Sequence, residues 1–526
     1  METATIITPA GAEIPQAEPL IETKAKNAFK PDMLDILLAP AVMLLGYLFS
    51  CWMLFTERGW GITAFTTAYL TATTAYLMKK GVFTNSRAAW FWMAVTWTAG
   101  ASYALWENAS IAQNRTMFLF CSAVYYVITA SGRTLMGKTG NYLVLDGINA
   151  VVIIPFMNFA NQYVSFAALT RKKGKRGSIW PVIAGVAIAL ILAAMLIPML
   201  KRADSGGFGI VTKIIADIFT IRRDLIFEIL VYTICAIPVS AYIYGLLSGA
   251  AHDRNTGSIK PEAAKKTVAA LRLLQPSTVF IVLGAVCALY LVFILSQIPY
   301  FFSAFTGRRP EGWLIYSEYA RHGFFELCRI AAINLAIITA GNVACRKQRT
   351  ESRMMKTLNI ALAIITLVLI VTAFSKMALY IGAYGLTMPR LLPCIFMAFL
   401  TAVFVALMAL QKWSFSIVRF ALVTGSVMLC ALFLCNPDAL VVRYNTGRYL
   451  TGTLQNYDVD ILYRSGRAGV LPAIKVYENT SNEQLKAEIG GYLEYYKANL
   501  QRRPFILGRG IHENSLETHI AREALK

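Results

Sequence analysis

The chain carries a succession of long apolar runs separated by short polar segments. The hydrocarbon core of a bilayer takes about 20 residues to cross as an α-helix, and the backbone polar groups inside it must be paired within the protein. Run length therefore predicts membrane-spanning helices and an all-α fold class, a polytopic transmembrane helix bundle. We place eleven spans at about residues 34–55, 60–78, 88–106, 116–131, 180–200, 225–248, 277–304, 324–344, 357–380, 391–410 and 415–435.

The composition is too apolar for an ordinary soluble protein. Hydrophobic residues make up 57% of the 526 residues and charged residues 15%, against about 45–50% and about 25% in soluble domains. The formal net charge of +21 would suggest nucleic acid in a soluble chain. Here the Lys and Arg residues cluster between apolar runs, as in the cytoplasmic loops of membrane proteins. We therefore predict the lipid bilayer as partner and no nucleic acid.

The basic clusters also predict an orientation. They follow the second, fourth, sixth, eighth and tenth apolar runs, with the densest over 171–176 and 346–356. Cytoplasmic loops carry this excess of positive charge. The N-terminus is then inside the cell, and an odd number of spans places the C-terminus outside.

The chain divides into four predicted segments. Residues 1–33 form a disordered cytoplasmic tail, and 34–178 hold the N-terminal spans with an interfacial helix and a basic loop. Residues 179–435 form the core membrane domain. Residues 436–526 turn polar and predict a small helical soluble domain outside the membrane. The interfacial helix is predicted over 143–156, which is apolar but too short to cross.

Motifs for chemistry are few. Residues 132–139 match GxxxxGK[ST], the phosphate-binding loop of NTPases, but that loop must follow a buried strand, and here it follows a predicted span. The nine Cys and four His residues show no metal-binding spacing. We predict no catalytic residue, cofactor or metal. Charged residues within predicted spans are costly in lipid and are therefore noted as candidates: they are Glu228, Glu326, Arg329, Lys376 and Arg419.

Three stretches together are similar to a known family. They read YSEYARHGFFEL at 316–327, SKMALYIGAYGLTMPR at 375–390 and NPDALVVRYN at 436–445. The chain resembles, over roughly residues 180–465, a family of bacterial multi-pass membrane proteins that carries only a domain-of-unknown-function label. The resemblance implies a protein of the bacterial cytoplasmic membrane. It supplies no activity.

The predicted topology places these stretches at the outer ends of the last five spans, where their polar side chains would share one face. Such a face is either a structural network that holds the helix ends or a site that recognises a polar head group or peptide; a catalytic role is a third alternative. The residues concerned are Glu318, Tyr319, Arg321, Glu326, Lys376, Tyr380, Tyr384, Arg390, Arg443 and Asn445.

Three functional hypotheses follow. The first is a non-enzymatic envelope sensor or scaffold that meets a membrane or envelope protein partner or a ligand through this face. The second is a transporter or lipid translocase. The third is an envelope enzyme with Glu318 or Glu326 as base and Arg321 as anion clamp.

Overall fold

The computed structural model describes residues 29–55, 58–171, 207–257, 259, 261–301, 316–346, 352–501 and 513–526. Side chains are described in these ranges except at 170–171, 207–226, 297–301, 316–322 and 501. Residues 1–28 of the predicted tail and the predicted span at 180–200 lie outside the described residues. The last five residues of the predicted tail, 29–33, are described and belong to a helix bundle, since Phe29 lies in its core and Asp32 caps the first helix. The described residues form helices without a named strand, so the predicted all-α fold class is confirmed.

Eight described helices are long and apolar enough to cross a membrane. Three further predicted spans, at Trp60–Lys79, Arg87–Leu105 and Ala112–Ala130, are helices of 20, 19 and 19 residues. They are not among those eight, but they pack in the core of a helix bundle. The eight are Met33–Leu54, Leu143–Leu169, Phe227–Ala251, Pro276–Ser296, Gly323–Ala344, Arg353–Tyr384, Met388–Leu410 and Ile417–Leu434.

The first bundle surrounds a core that includes the buried side chains of Val42, Leu77, Tyr126 and Tyr244. Its last helix, α8, packs mainly against α1 and α6, so it belongs to this bundle although it follows the basic loop at 171–176. The helices are α1 (Met33–Phe49), α2 (Trp60–Lys79), α3 (Arg87–Leu105), α4 (Ala112–Ala130), α5 (Leu143–Ile148), α6 (Ile154–Met157), α7 (Asn161–Arg171) and α8 (Gly207–Ala251).

The segment Leu143–Leu169 is long enough to cross a membrane, and two of its polar side chains reach one end of the bundle. Asn149 donates to the carbonyl of Thr256 (3.0 Å), and Asn158 donates to the carbonyl of Arg254 (3.1 Å). A helix rises about 1.5 Å per residue, so a crossing segment would separate these two Asn residues by about 13 Å along the bundle axis. Both instead reach the turn that follows α8. Gln162, further along the segment, instead accepts from the Ser240 hydroxyl inside the bundle (3.1 Å), so the interfacial helix over 143–156 stays a prediction.

The second bundle is built around a core that includes Leu283, Phe324, Leu369 and Phe404. It comprises α10 (Pro276–Phe301), α11 (Tyr316–Ala344), α12 (Arg353–Tyr384) and α13 (Met388–Leu410), preceded by the short α9 (Pro261–Ala270). Helix α14 (Ile417–Leu434) connects the bundles, since it packs on α13 and on α3.

A polar chain crosses the interior of the second bundle. The Tyr290 hydroxyl donates to the amide oxygen of Asn334 (2.8 Å), and the Asn334 amide nitrogen donates to the Thr366 hydroxyl (2.9 Å). Asn334 is fully buried. Paired polar groups of this kind hold neighbouring helices in register inside a membrane.

The C-terminal domain is a small helical unit with its own core, formed by Val442, Leu462, Val476, Ile489 and Tyr492 among others. It comprises α15 (Pro437–Leu450), α16 (Asp460–Arg464), α17 (Val470–Asn479), α18 (Glu483–Gln501) and α19 (Leu516–Ala524). The sequence Asn-Pro starts it, because Asn436 adopts a left-handed conformation (φ 49°) and its side chain caps α15, while Pro437 is the first helical residue.

A group of described basic residues lies at the end of the membrane region opposite this domain. Arg133 pairs with Asp253 (3.1 Å) just beyond α4 and α8. Arg419, in the first turn of α14, donates to the carbonyl of Thr139 (2.9 Å). The C-terminal domain contacts the other ends of α3 and α14. We call the end that carries Lys80, Arg133, Arg254 and Arg419 the basic end.

Candidate functional site at the seat of the C-terminal domain

The loop between α3 and α4 caps the last turn of α14. The indole of Trp106 donates to the carbonyl of Leu434 (2.7 Å), and the amide of Asn108 donates to the carbonyl of Phe433 (2.8 Å). The last carbonyls of a helix have no partner within it, so donors from elsewhere must satisfy them when they are buried. This loop thereby fixes the point at which the chain leaves the membrane bundle and enters the C-terminal domain.

A buried arginine holds the same loop. Arg115 is fully buried, and its guanidinium lies 3.6 Å from the ring centre of Tyr103. It donates to the carbonyls of Trp106 (3.0 Å) and Glu107 (2.6 Å). A planar guanidinium can stack and donate at once, so one side chain from α4 fixes the loop backbone.

Carboxylates join the loop to the C-terminal domain. Glu517, in α19, accepts from the Asn436 amide (2.6 Å) and from the backbone N–H of Glu107 (2.9 Å). Asp438, in α15, accepts from the backbone N–H of Ser110 (3.1 Å). We call this junction the seat. It is a polar contact surface between segments far apart in the chain.

Burial changes the acidity of two seat carboxyls. Desolvation raises the pKa of Glu517 to about 7, although the Glu107 N–H and the Asn436 amide favour the charged form. Desolvation also raises the pKa of Asp438 above its usual range. Low-dielectric surroundings disfavour an ionised carboxyl. The seat therefore titrates within the physiological pH range through Glu517.

A cleft of about 520 Å³ opens beside the seat. Its wall is largely apolar and contains one cation, Arg443, whose side chain is exposed and forms no ion pair with a described residue. Among the residues that line it, none carries a carboxylate or an imidazole. They include Trp106, Leu386, Cys435, Leu440, Arg443 and Tyr444.

The turn between α12 and α13 forms one wall of the cleft and is clamped by Asn445. The side chain of Asn445 accepts from the N–H of Leu386 and donates to its carbonyl, both at 2.7 Å. Gly385 has a φ of +76°, and a Cβ there would lie 2.5 Å from the Asn445 oxygen. Glycine is required at this point because the turn needs both the left-handed backbone and the space.

Arg390 reinforces the same turn. Its guanidinium donates to the carbonyls of Tyr384 (2.9 Å) and Gly385, and it lies 4.2 Å from the ring centre of Tyr380. The second and third signature stretches therefore meet here. Around the cleft, Arg390 and Asn445 hold the backbone, while Arg443 faces the opening.

The first signature stretch lies at the start of α11, which packs against α12. The side chains of Glu318, Tyr319 and Arg321 are outside the described residues. Glu326 forms an ion pair with Arg329 one turn away (2.8 Å), with both side chains largely exposed.

Lys376, from the second stretch, meets the first stretch inside the second bundle. Its Nζ lies beside Gly323, so that a Cβ built on this glycine would be 2.7 Å away. Glu326 and Lys376 thus make their described contacts within the second bundle. Arg443 lines the cleft, whereas Arg390 and Asn445 bond to the turn that carries Leu386, another residue of its wall.

The sequence analysis missed a buried polar cluster at the basic end. Asp35 is fully buried, and its carboxylate contacts the Tyr76 hydroxyl (2.7 Å), Lys80 (2.9 Å) and His252 (2.9 Å). These residues join the start of α1 to the ends of α2 and α8. An acidic residue two positions inside the first apolar helix was the signal that could have revealed it.

Apolar helices sufficient to cross a bilayer, assembled into two bundles with a helical domain seated on one end, define a polytopic α-helical membrane protein. The chain belongs to the family described as Domain of unknown function (DUF4153), whose model matches residues 93–476, more than two thirds of the chain. This confirms the resemblance to a domain-of-unknown-function family. The matched region begins in α3 and ends in α17, so it includes the cleft. No curated protein and no solved structure matches the chain.

Proposed function

We propose that this protein is a non-enzymatic sensor or scaffold of the bacterial cell envelope that recognises an anionic ligand or partner segment at the cleft beside the seat. The observation that carries the proposal is Arg443, an exposed cation in a largely apolar cleft of about 520 Å³. An arginine fork matches a carboxylate or a phosphate, and the apolar wall would accept an attached hydrophobic group.

The supporting structure around Arg443 favours recognition. Arg390 and Asn445 satisfy the backbone of the turn that forms one wall, and Trp106 fixes another wall to the end of α14. A cleft with walls held by hydrogen bonds is preorganised, which lowers the entropic cost of binding. The mixture of Trp106, Tyr444 and apolar side chains also suits the level of lipid head groups.

The cleft is tested by photo-crosslinking at Leu440 in native membranes. We expect a specific adduct in the wild-type background, and we expect Arg443→Gln to lower its yield about tenfold, because one charged hydrogen bond contributes about 1.5 kcal/mol or more. Arg443→Lys should retain part of the yield. Thermal stability should not change, since Arg443 forms no ion pair with a described residue.

Lys475→Gln is the matched control, because it removes an exposed cation from the C-terminal domain away from the cleft. Equal adduct yields in Arg443→Gln and Lys475→Gln would contradict the proposal. A variant that abolishes a chemical turnover while the adduct persists would also contradict the proposal, because the protein would then be an enzyme.

We further propose that the C-terminal domain and the cleft lie outside the cytoplasm. The support is that Lys80, Arg133 and Arg419 share the opposite end of the membrane region, and positive charge marks the cytoplasmic side.

Orientation is measured in intact cells with a thiol reagent that does not cross membranes, in a cysteine-free background. We expect labelling of Lys475→Cys, in the C-terminal domain, and protection of Lys79→Cys, at the basic end; both positions are exposed. The reverse pattern would overturn the orientation but not the bilayer assignment.

A further inference from the structure

The glycine-containing loop at 132–142 encloses a polar pocket of about 210 Å³ at the basic end. The pocket is closed on its other side by the start of α14. Its lining includes Lys138, Thr139, Tyr142, Asp146, Ser416 and Arg419. None of these residues belongs to the seat or the cleft.

The structure excludes the nucleotide reading of the motif in this loop. Residues 132–139 follow α4, a helix, whereas the phosphate loop of an NTPase joins a strand to a helix. The pocket volume is also below the range of about 300–1,000 Å³ that is typical of sites for larger small molecules. A single phosphate-sized group fits better than a nucleotide.

The charge of the pocket favours an anion. Lys138 and Arg419 come from different elements, both are exposed, and neither forms an ion pair with a described residue. The one carboxylate, Asp146, is buried and accepts from the backbone N–H of Leu135 (2.7 Å). Two cations thus face one carboxylate that already has a backbone donor.

The pocket is held in shape by contacts between its two sides. Arg419 donates through Nε to the carbonyl of Thr139 (2.9 Å), which leaves the two terminal nitrogens of its guanidinium for another acceptor. The Thr139 hydroxyl is bonded to the Tyr125 hydroxyl (2.8 Å). The loop is therefore anchored to α4 and to α14 before any ligand arrives.

The position of the pocket identifies the source of the anion. It lies where α4 ends and where α14, a helix able to cross the membrane, begins. The exposed Trp413 lies just before α14, and Trp is enriched at the level of lipid head groups. We propose that this pocket binds the phosphate group of an anionic membrane lipid at the cytoplasmic surface.

The test uses the full chain purified in a neutral detergent and native mass spectrometry with short-chain lipids. We expect phosphatidylglycerol to be retained in preference to phosphatidylcholine, and Lys138→Gln/Arg419→Gln to weaken its retention about tenfold or more, since each cation near an anionic surface contributes about a factor of five. Asn141→Trp, which fills the pocket without removing a charge, should cause a similar loss.

Lys79→Gln/Lys412→Gln is the matched control, because it removes two exposed cations that do not line the pocket. This control should change retention less than about twofold. Equal losses in the two double variants would overturn the proposal in favour of diffuse surface attraction. Retention of inorganic phosphate or ATP without phosphatidylglycerol would also overturn it, because the source would then be a soluble anion.

Discussion

Replacing Asp35 by alanine is expected to lower the free energy of unfolding by about 3–5 kcal/mol. The carboxylate is fully buried and contacts Tyr76, Lys80 and His252. Its removal leaves the Lys80 ammonium, with a side chain only 8% exposed, to Asp32, which is 54% exposed. The costly outcome is a buried ammonium whose one remaining carboxylate partner is half-exposed to solvent, together with the lost hydrogen bonds of Tyr76 and His252.

The measurement is unfolding of the purified protein in detergent, followed by circular dichroism. Asp32→Asn is the control and should cost less than about 1 kcal/mol, because the amide retains the helix cap and the lost ion pair is partly solvated. Asp35→Leu/Lys80→Met should recover part of the loss by removing both charges. A loss below about 1 kcal/mol for Asp35→Ala would show that the cluster does not stabilise the first bundle.

Raising the pH from 5 to 8 is expected to weaken the docking of α19 on the seat by about 2.5 kcal/mol. The folded pKa of Glu517 is about 7, above its ordinary value of 4.5. Between these values the folded chain binds more protons than the unfolded chain, so stability falls as the pH rises. The contribution is fully present below about pH 4.5 and is lost once the pH passes about 7. Asp438, whose pKa is also raised, acts in the same direction.

Limited proteolysis of α19 across this pH range measures the effect. Glu517→Gln should remove most of the pH dependence, because an amide does not titrate in this range. Glu523→Gln, an exposed carboxylate on the same helix that contacts His519 (3.4 Å), should leave the profile unchanged. An unaltered profile in Glu517→Gln would mean that another group controls the docking.

Local patterns predicted the class of the fold well. Apolar run length placed spans at 391–410 and 415–435, and the helices are Met388–Leu410 and Ile417–Leu434. The family resemblance is confirmed by a match over residues 93–476. These features depend on residues close together in the chain, where one sequence contains the whole signal.

Long-range pairing could not be predicted in the same way. Asp35 meets His252 across 217 residues, and Glu517 meets Glu107 across 410. No spacing rule connects such positions, because only the packing of helices brings them together. For the same reason, the sequence analysis selected Glu326 as a candidate and missed the more deeply buried Asp35. The partner of Glu326 is Arg329, one turn away.

The second and third signature stretches meet in the structure. The sequence pattern grouped Arg390, Arg443 and Asn445 on one face; Arg443 lines the cleft, and Arg390 and Asn445 bond to the turn that carries Leu386. It could not separate Arg443, which faces the opening, from Arg390 and Asn445, which are committed to backbone groups. Residue type alone does not show whether the guanidinium of an arginine is already hydrogen-bonded to acceptors within the protein.

The hydrogen bond between Glu517 and the loop at Glu107 also sets an order of assembly. The loop between α3 and α4 is synthesised long before α19. The Glu107 N–H therefore lacks its Glu517 partner while some 400 further residues are made. The arrival of α19 then completes this hydrogen bond. A chain that lacks α19 would leave the Glu107 N–H and the Asn436 amide without their carboxylate partner, so the junction between the first bundle and the C-terminal domain would stay open.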